Sequence, residues 1–116
     1  LYIFRYHPEQ LDGIAKETLI EALRSEGIPC SPGYTIPLYE QPVFQKKEFG
    51  PFKHLLKDRF PESFTPLPHT ESACRRHAIW LTQNVLLAGA QGMNDVVAAL
   101  EKIIEYRAEL KPNGVK

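Results

Sequence analysis

A proline-rich stretch over residues 32–42 places the strongest constraint on how this chain can fold. Its sequence is Pro-Gly-Tyr-Thr-Ile-Pro-Leu-Tyr-Glu-Gln-Pro, with three prolines and one glycine among apolar and aromatic residues. Proline fixes φ and has no N–H to donate, so a regular strand ladder cannot run through this stretch. Because few charges interrupt it, we expect a rigid, ordered loop rather than a solvated linker.

The residues before this loop predict a strand, a helix and a second strand. Leu1–Tyr6 is rich in aromatic and β-branched residues, which is typical of a strand. Ala15–Ser25 has apolar residues at helical spacing, and Gly27 follows it as a helix stop. Ile28–Ser31 can form a second strand, and Pro29 favours an edge position for that strand.

The residues after the loop predict a helix and a third strand. Val43–Pro68 is rich in loop-forming residues, and we expect one short helix around His54–Lys57. Thr70–His77 has a helical pattern, with its first residue as the expected N-cap. Ala78–Thr82 predicts the third strand, and Asn84–Leu87 is a candidate extension of it.

The last helix is predicted over Met93–Leu110, with Gly92 or Asn94 as its cap and Pro112–Gly114 beyond its end. Its apolar stripe consists of Val96, Val97, Leu100, Ile103 and Ile104. This order of elements predicts one α+β domain over residues 1–116. Its expected core is a small antiparallel or mixed three-stranded sheet covered by helices.

Composition excludes several classes of function. The 14 basic and 14 acidic residues cancel, so we expect no nucleic-acid partner. No run of apolar residues is long enough to predict a membrane span, and no signal peptide is evident. The two cysteines, Cys30 and Cys74, are too few for a disulfide scaffold, which favours a reduced, cytoplasmic protein.

The chain offers few residues for catalysis or metal binding. No Gly-x-Ser-x-Gly motif is present, and we assign no catalytic residue. Cys74 and His77 are three residues apart, with His69 nearby, but zinc needs more ligands, so we favour Cys74 as a small core residue and expect no metal site. Gly89–Gly92 could offer N–H groups to an anion, although a plain turn is the favoured interpretation.

The strongest candidates for a binding site are Tyr34 and Tyr39, which lie on either side of Pro37. A phenol can stack on a planar ring and form a hydrogen bond at its tip. The alternative is that both rings fill an edge of the core. Arg5 in the first predicted strand could bind a carboxylate or phosphate, or it could point to solvent.

Several segments resemble one known family. They are Leu1–Arg5, Thr18–Pro29, Pro37–Pro42, Ala78–Leu81, Leu86–Leu87 and Met93–Ile103. In these segments the chain resembles the small C-terminal domain of the DegT/DnrJ/StrS-type sugar aminotransferases, which are fold-type-I pyridoxal-phosphate enzymes. Gly33 and Tyr39 stand where many members carry histidines. The form with Pro-Gly-Tyr at 32–34 and Pro-Leu-Tyr at 37–39 is similar to the branch of this family that acts on cyclic ketones such as keto-inositols.

The resemblance implies that the full enzyme transfers an amino group from glutamate or glutamine to a keto-sugar or keto-cyclitol. Pyridoxal phosphate and its Schiff-base lysine would belong to a large domain outside this chain, which would be inactive alone. The resemblance also implies a homodimeric parent. Tyr34 and Tyr39 would contact or orient substrate, with Ser31 and Gln41 as weaker supports.

Two other functions remain open. One is a free-standing binding or interaction module, and the other is a regulatory family member that binds the cofactor without transamination. Because the chain begins at Leu1, inside a predicted strand and without Met, we expect a domain separated from its catalytic partner. Such a domain should expose apolar side chains in Leu1–Tyr6 or Tyr34–Val43.

Overall fold

The chain folds around a small three-stranded antiparallel sheet. The computed structural model describes residues 1–56, 59–61 and 63–110. The strands are β1 (Tyr2–Arg5), β2 (Cys30–Ser31) and β3 (Ala78–Leu81), and β3 lies in the centre. The predicted α+β class is therefore confirmed, and both strand pairs are antiparallel. The edge position that Pro29 predicted for β2 is also confirmed.

Helices account for most of the remaining regular structure. They are α1 (Lys16–Ser25), α2 (Pro42–Gln45), α3 (Lys53–Leu56), α4 (Pro68–Ser72), α5 (Gln83–Leu87) and α6 (Gly89–Glu105). A π-helical turn, Ala73–His77, joins α4 to β3. Short 3₁₀ turns include Leu38–Glu40 and Arg107–Leu110. The predicted helix around residues 54–57 corresponds to α3, and Lys57 lies outside the described residues.

The end of α1 explains how the chain turns from this helix into β2. Gly27 adopts φ of 83°, a left-handed conformation that glycine adopts readily. Its N–H donates to the Arg24 carbonyl at 3.0 Å, and the Ile28 N–H donates to the Leu23 carbonyl at 2.9 Å. These two bonds form a Schellman motif, and Leu23 and Ile28 are both buried beside it. The predicted glycine stop is confirmed.

The core lies between one face of the sheet and the helices α1 and α6. Alternate residues of β3, Ile79 and Leu81, point into it and are almost completely buried. The other core residues include Leu19, Ile20, Leu23, Ile28, Cys30, Val85, Val96, Ala99 and Ile103. The opposite face of the sheet carries the side chains that alternate with these. They are Ile3, Arg5, Ser31, Ala78 and Trp80, and we call this the open face.

Two predictions around β3 are wrong. The helix predicted from Thr70 begins at Pro68, because proline at the first helical position needs no N–H partner and has a suitable φ. Leu67 occupies the N-cap position, so Thr70 is not the cap. Asn84–Leu87 does not extend the strand but lies in α5. A short apolar run is ambiguous between the two states, and here the helix buries Val85 against the core.

The last helix is longer at its start and shorter at its end than predicted. It begins at Gly89 and ends at Glu105, so Gly92 and Asn94 lie inside α6 and neither is its cap. A Cβ on Gly92 would lie 2.5 Å from the Ala88 Cβ, which shows that glycine permits close packing there. The predicted stop at 112–114 lies outside the described residues.

The apolar stripe of this helix is only partly buried. Val96 and Ile103 lie in the core, together with Ala99, whereas Val97 is 51% and Ile104 45% exposed. The buried positions follow the i, i+3, i+7 spacing of one narrow helix face. The wider stripe predicted from the sequence is therefore wrong at Val97 and Ile104.

The segment between β2 and β3 carries a second cluster of apolar side chains. Phe44, Phe49 and Phe60 contact one another, with ring centroids 4.6–6.0 Å apart. Phe64 joins them at 6.4 Å from Phe44 and stacks on Tyr39 at 6.1 Å. We call these residues the aromatic cluster, and it is separate from the core between the sheet and α1.

Candidate functional site

The turn that follows β2 is built on the indole ring of Trp80. Ser31 pairs with Trp80 across the sheet, and its hydroxyl accepts a long hydrogen bond, 3.4 Å, from the Gly33 N–H. Gly33 adopts φ of 65°, and a Cβ added to it would lie within 2.7 Å of three indole atoms. Gly33 therefore packs directly on the indole, and a side chain at this position would collide with it.

Tyr34 completes this arrangement. Its ring meets the Trp80 ring edge to face, with centroids 5.0 Å apart and planes at 85°. This is a favoured geometry for an aromatic pair. The Tyr34 side chain is nevertheless 70% exposed, so Trp80 orients a ring that remains open to a ligand or to another polypeptide. The alternative that Tyr34 fills a core edge does not hold for the described chain.

Tyr39 has a different environment. Its hydroxyl donates a short hydrogen bond to the Glu71 carboxylate of α4 and accepts one from the Leu67 N–H at 3.2 Å. The bond to Glu71 raises the pKa of the Tyr39 phenol above its ordinary value. The tip of the Tyr39 side chain is thus engaged within the protein, and it fastens the proline-rich loop to α4.

A second link fastens the same loop to the π-helical turn. Arg75 donates from Nη2 to both carboxylate oxygens of Glu40, at 2.6 and 2.5 Å, and its Nη1 lies 3.4 Å from Glu71. Pro37 is among the most fully buried side chains of the chain. These contacts agree with the expected rigidity of the loop. Both links join the loop to residues more than 30 positions away, so its conformation depends on tertiary contacts as well as on its own prolines.

The structure brings together only some of the residues proposed from the sequence. Ser31 and Tyr34 are neighbours through Trp80, on the open face. Tyr39 lies instead against Glu71. Gln41 is half-buried at the N-cap position of α2, without a side-chain capping bond.

Sequence reasoning missed the three residues that organise this region, Trp80, Glu71 and Arg75. The signal for Trp80 was present, since it alternates with the buried Ile79 and Leu81 and must therefore point to the opposite face. The pairing of Glu71 with Tyr39 had no local signal, because the two residues are 32 positions apart.

A shallow groove of about 270 Å³ lies between β1 and α4. Its polar lining residues are Arg5, His69, Ser72 and His77. One ring nitrogen of His77 already has a hydrogen-bond partner, since its Nδ1 lies 2.7 Å from the Tyr6 carbonyl oxygen. Within the described ranges, no hydrogen bond or ion pair of the Arg5 side chain is found, and this side chain is exposed.

The structure does not support a zinc site at Cys74 and His77. Cys74 is half-buried rather than a core residue, so the favoured interpretation of it is wrong. Its carbonyl accepts a 2.7 Å hydrogen bond from the buried Lys16. No group of three His, Cys, Asp or Glu residues in the described part of the chain could hold a metal ion. Every helix in the described part of the chain is shorter or more polar than a membrane-spanning helix.

Comparison with known proteins gives one informative similarity. No family model matches the chain, and no solved structure matches it. The chain is 27% identical over 108 residues to a protein of Streptoalloteichus tenebrarius. That protein carries the provisional name L-glutamine:3-amino-2,3-dideoxy-scyllo-inosose aminotransferase.

The extent of the match is unequal in the two proteins. It covers 87% of this chain but 25% of the relative, so the chain spans about a quarter of the length of the curated protein it matches. The chain is therefore distantly related to one region of an aminotransferase-type protein.

Proposed function

We propose that this chain is the small C-terminal domain, residues 1–116, of a pyridoxal-phosphate-dependent aminotransferase of the DegT/DnrJ/StrS type. The whole enzyme would move an amino group from glutamate or glutamine to a keto-sugar or keto-cyclitol. The observation that carries this proposal is the similarity over 87% of the chain to a quarter of the Streptoalloteichus protein. The name of that protein specifies glutamine and an amino-inosose, a cyclic ketone.

The surface of the chain supports a role beside a larger domain. Large apolar side chains are exposed in both segments that we expect to face a partner domain. Among the exposed side chains are Tyr2, Ile3, Tyr34, Leu38 and Val43, within the two segments expected to meet a partner.

In this proposal the chain contributes no Schiff-base lysine. A pyridoxal phosphate site needs a lysine for the Schiff base and, in this fold type, a carboxylate beside the pyridine nitrogen. Lys16 is the buried charged residue of the described chain, and it is bonded to the Cys74 carbonyl with no buried carboxylate nearby. Lys102 is exposed and pairs with Glu26 at 2.8 Å. In this proposal the cofactor belongs to the part of the enzyme outside this chain.

In this proposal the chain supplies one wall of the active-site cleft, because ligand sites often form between two domains. Tyr34 would contact the substrate directly. Ser31 shapes the turn that carries it, and Gln41 has a side chain available for a polar contact. Tyr39 would orient the loop through Glu71. The parent would be a cytoplasmic homodimer.

The first test is the intact mass and visible absorbance of the gene product purified from its own cells. We expect a mass several times the 13.2 kDa of this chain, absorbance of a bound cofactor, and amino transfer from glutamine to a keto-inositol. Borohydride reduction and peptide mapping should place the cofactor on a lysine outside residues 1–116. A native product with the mass of this chain would refute the proposal and favour the free-standing module. Cofactor binding without amino transfer to any ketone would favour the regulatory alternative.

A further inference from the structure

On the open face of the sheet, Trp80 contacts both the backbone of Gly33 and the ring of Tyr34. It is the single tryptophan of the sequence, it lies on the central strand, and its cross-strand neighbours are Ile3 and Ser31. Core formation does not require it there, because the core side of β3 is filled by Ile79 and Leu81. Its contacts are instead with Gly33 and Tyr34 of the turn after β2.

These contacts fix the direction of the Tyr34 side chain. The indole receives the backbone of Gly33 and the edge of the Tyr34 ring, so the turn and its exposed aromatic side chain share one support. An exposed tyrosine without such support would populate several rotamers, and a ligand would have to immobilise it. With the support, contact with the indole favours one orientation of a ring that is 70% exposed, before any ligand arrives.

We propose that Trp80 is a specificity-determining positioning residue, which holds Tyr34 so that its ring lies against the ring of the amino acceptor. This inference rests on the proposed function and deepens it by assigning the recognition of the acceptor. An aromatic wall fits the apolar face of a cyclic polyol, and the Tyr34 hydroxyl suits its hydroxyl groups. The amino donor is an open-chain amino acid and has no ring face to offer, so Trp80 selects for the acceptor alone.

Gly33 is also needed for Trp80 to support the turn that carries Tyr34. Because a Cβ at this position would enter the indole, a glycine is required for the turn to lie on Trp80. A side chain at this position would displace either the turn or the indole. The pair Gly33 and Trp80 thus defines a form of this loop that presents Tyr34.

The test is a double-mutant cycle in the full-length enzyme, with W80L, Y34A and the double variant. We expect each single substitution to raise KM for a keto-inositol by about 3- to 10-fold, the range that immobilising one side chain implies. KM for glutamine should change less than twofold. Because Trp80 acts through Tyr34, the double variant should match Y34A rather than multiply the two effects.

Two controls separate positioning from loss of structure. W80F keeps an aromatic ring and should recover part of the acceptor affinity, whereas V97A, at an exposed position of α6, should leave both KM values unchanged. Multiplicative effects in the double variant, or equal effects on both substrates, would overturn the inference. So would unchanged acceptor KM in W80L with the fold intact.

A readout independent of turnover distinguishes this inference from the proposed function. The enzyme is labelled with 5-fluorotryptophan, and the ¹⁹F resonance that disappears in W80F is assigned to Trp80. Scyllo-inositol, a neutral cyclic polyol, should shift this resonance, and glutamate should not. A shift in a protein without aminotransferase activity would support ring recognition and refute the reaction. Full activity without a shift would overturn the inference and leave the reaction standing.

Discussion

Substitution of Gly33 by alanine tests the contact between the turn and Trp80 most directly. Two costs add at this position. Gly33 has φ of 65°, and an L-residue in this region loses roughly 1–2 kcal/mol. The new Cβ would also lie within 2.7 Å of indole atoms, and overpacking of this kind costs about 1–3 kcal/mol. We therefore expect G33A to lower the free energy of unfolding by about 2–5 kcal/mol.

Gly27 provides a matched control for the conformational part of this cost. It too has a left-handed backbone, with φ of 83°, but nothing lies within 4 Å of a Cβ built on it. G27A should therefore lower the free energy of unfolding only by the cost of the left-handed backbone, roughly 1–2 kcal/mol. The difference between the two variants isolates the collision with the indole.

Equilibrium urea denaturation, followed by circular dichroism and by tryptophan fluorescence, measures both variants. Trp80 is the only tryptophan in the sequence, so fluorescence reports on the contact itself. In the W80L background, where the indole is absent, G33A should cost no more than G27A. If G33A and G27A differ by less than about 0.5 kcal/mol in the wild-type background, the close packing of Gly33 on Trp80 is refuted.

Three further predictions concern burial. V96A should lower the free energy of unfolding by about 1.5–3 kcal/mol, whereas V97A, half-exposed on the same helix, should change it by less than about 0.5 kcal/mol, as thermal denaturation would show. Iodoacetamide should alkylate Cys74 well before Cys30, because Cys30 is buried and burial raises the pKa of its thiol. Intact-mass analysis of C30S and C74S variants gives the two alkylation rates, and equal rates would contradict the burial of Cys30. Tyr6 is buried, and burial raises its pKa above 10, so its stabilising contribution is complete below pH 10 and is lost as pH rises through the raised pKa. Y6F should cost about 1 kcal/mol at neutral pH and show a smaller loss of stability in alkaline solution.

Local patterns were sufficient to predict the elements that have their own start and stop signals. Leu19 and Leu23 define the buried face of α1, and Gly27 ends it, so the whole element follows from a dozen consecutive residues. The edge position of β2 followed from Pro29 alone. A three-stranded sheet could be expected from the order of the elements, although sequence patterns did not decide between an antiparallel and a mixed sheet.

Other features depend on residues far apart in the sequence and had no local signal. The register that places Ser31 opposite Trp80 decides which aromatic residue supports the turn. The attachment of Tyr39 to Glu71 needs α4 to lie beside the proline-rich loop. For the same reason the sequence could nominate Tyr34 as a binding residue without indicating that Trp80 orients it.

The central position of β3 also determines the order in which the molecule can be assembled. Both partners of this strand precede it in the chain, and the ladder joins Arg5 to Ala78 and Cys30 to Leu81. Closing such long loops costs entropy before any sheet contact is gained, and it slows folding. During synthesis, β1 and β2 have no sheet partner until β3 has left the ribosome. The aromatic cluster, made of residues between β2 and β3, can form before the sheet does.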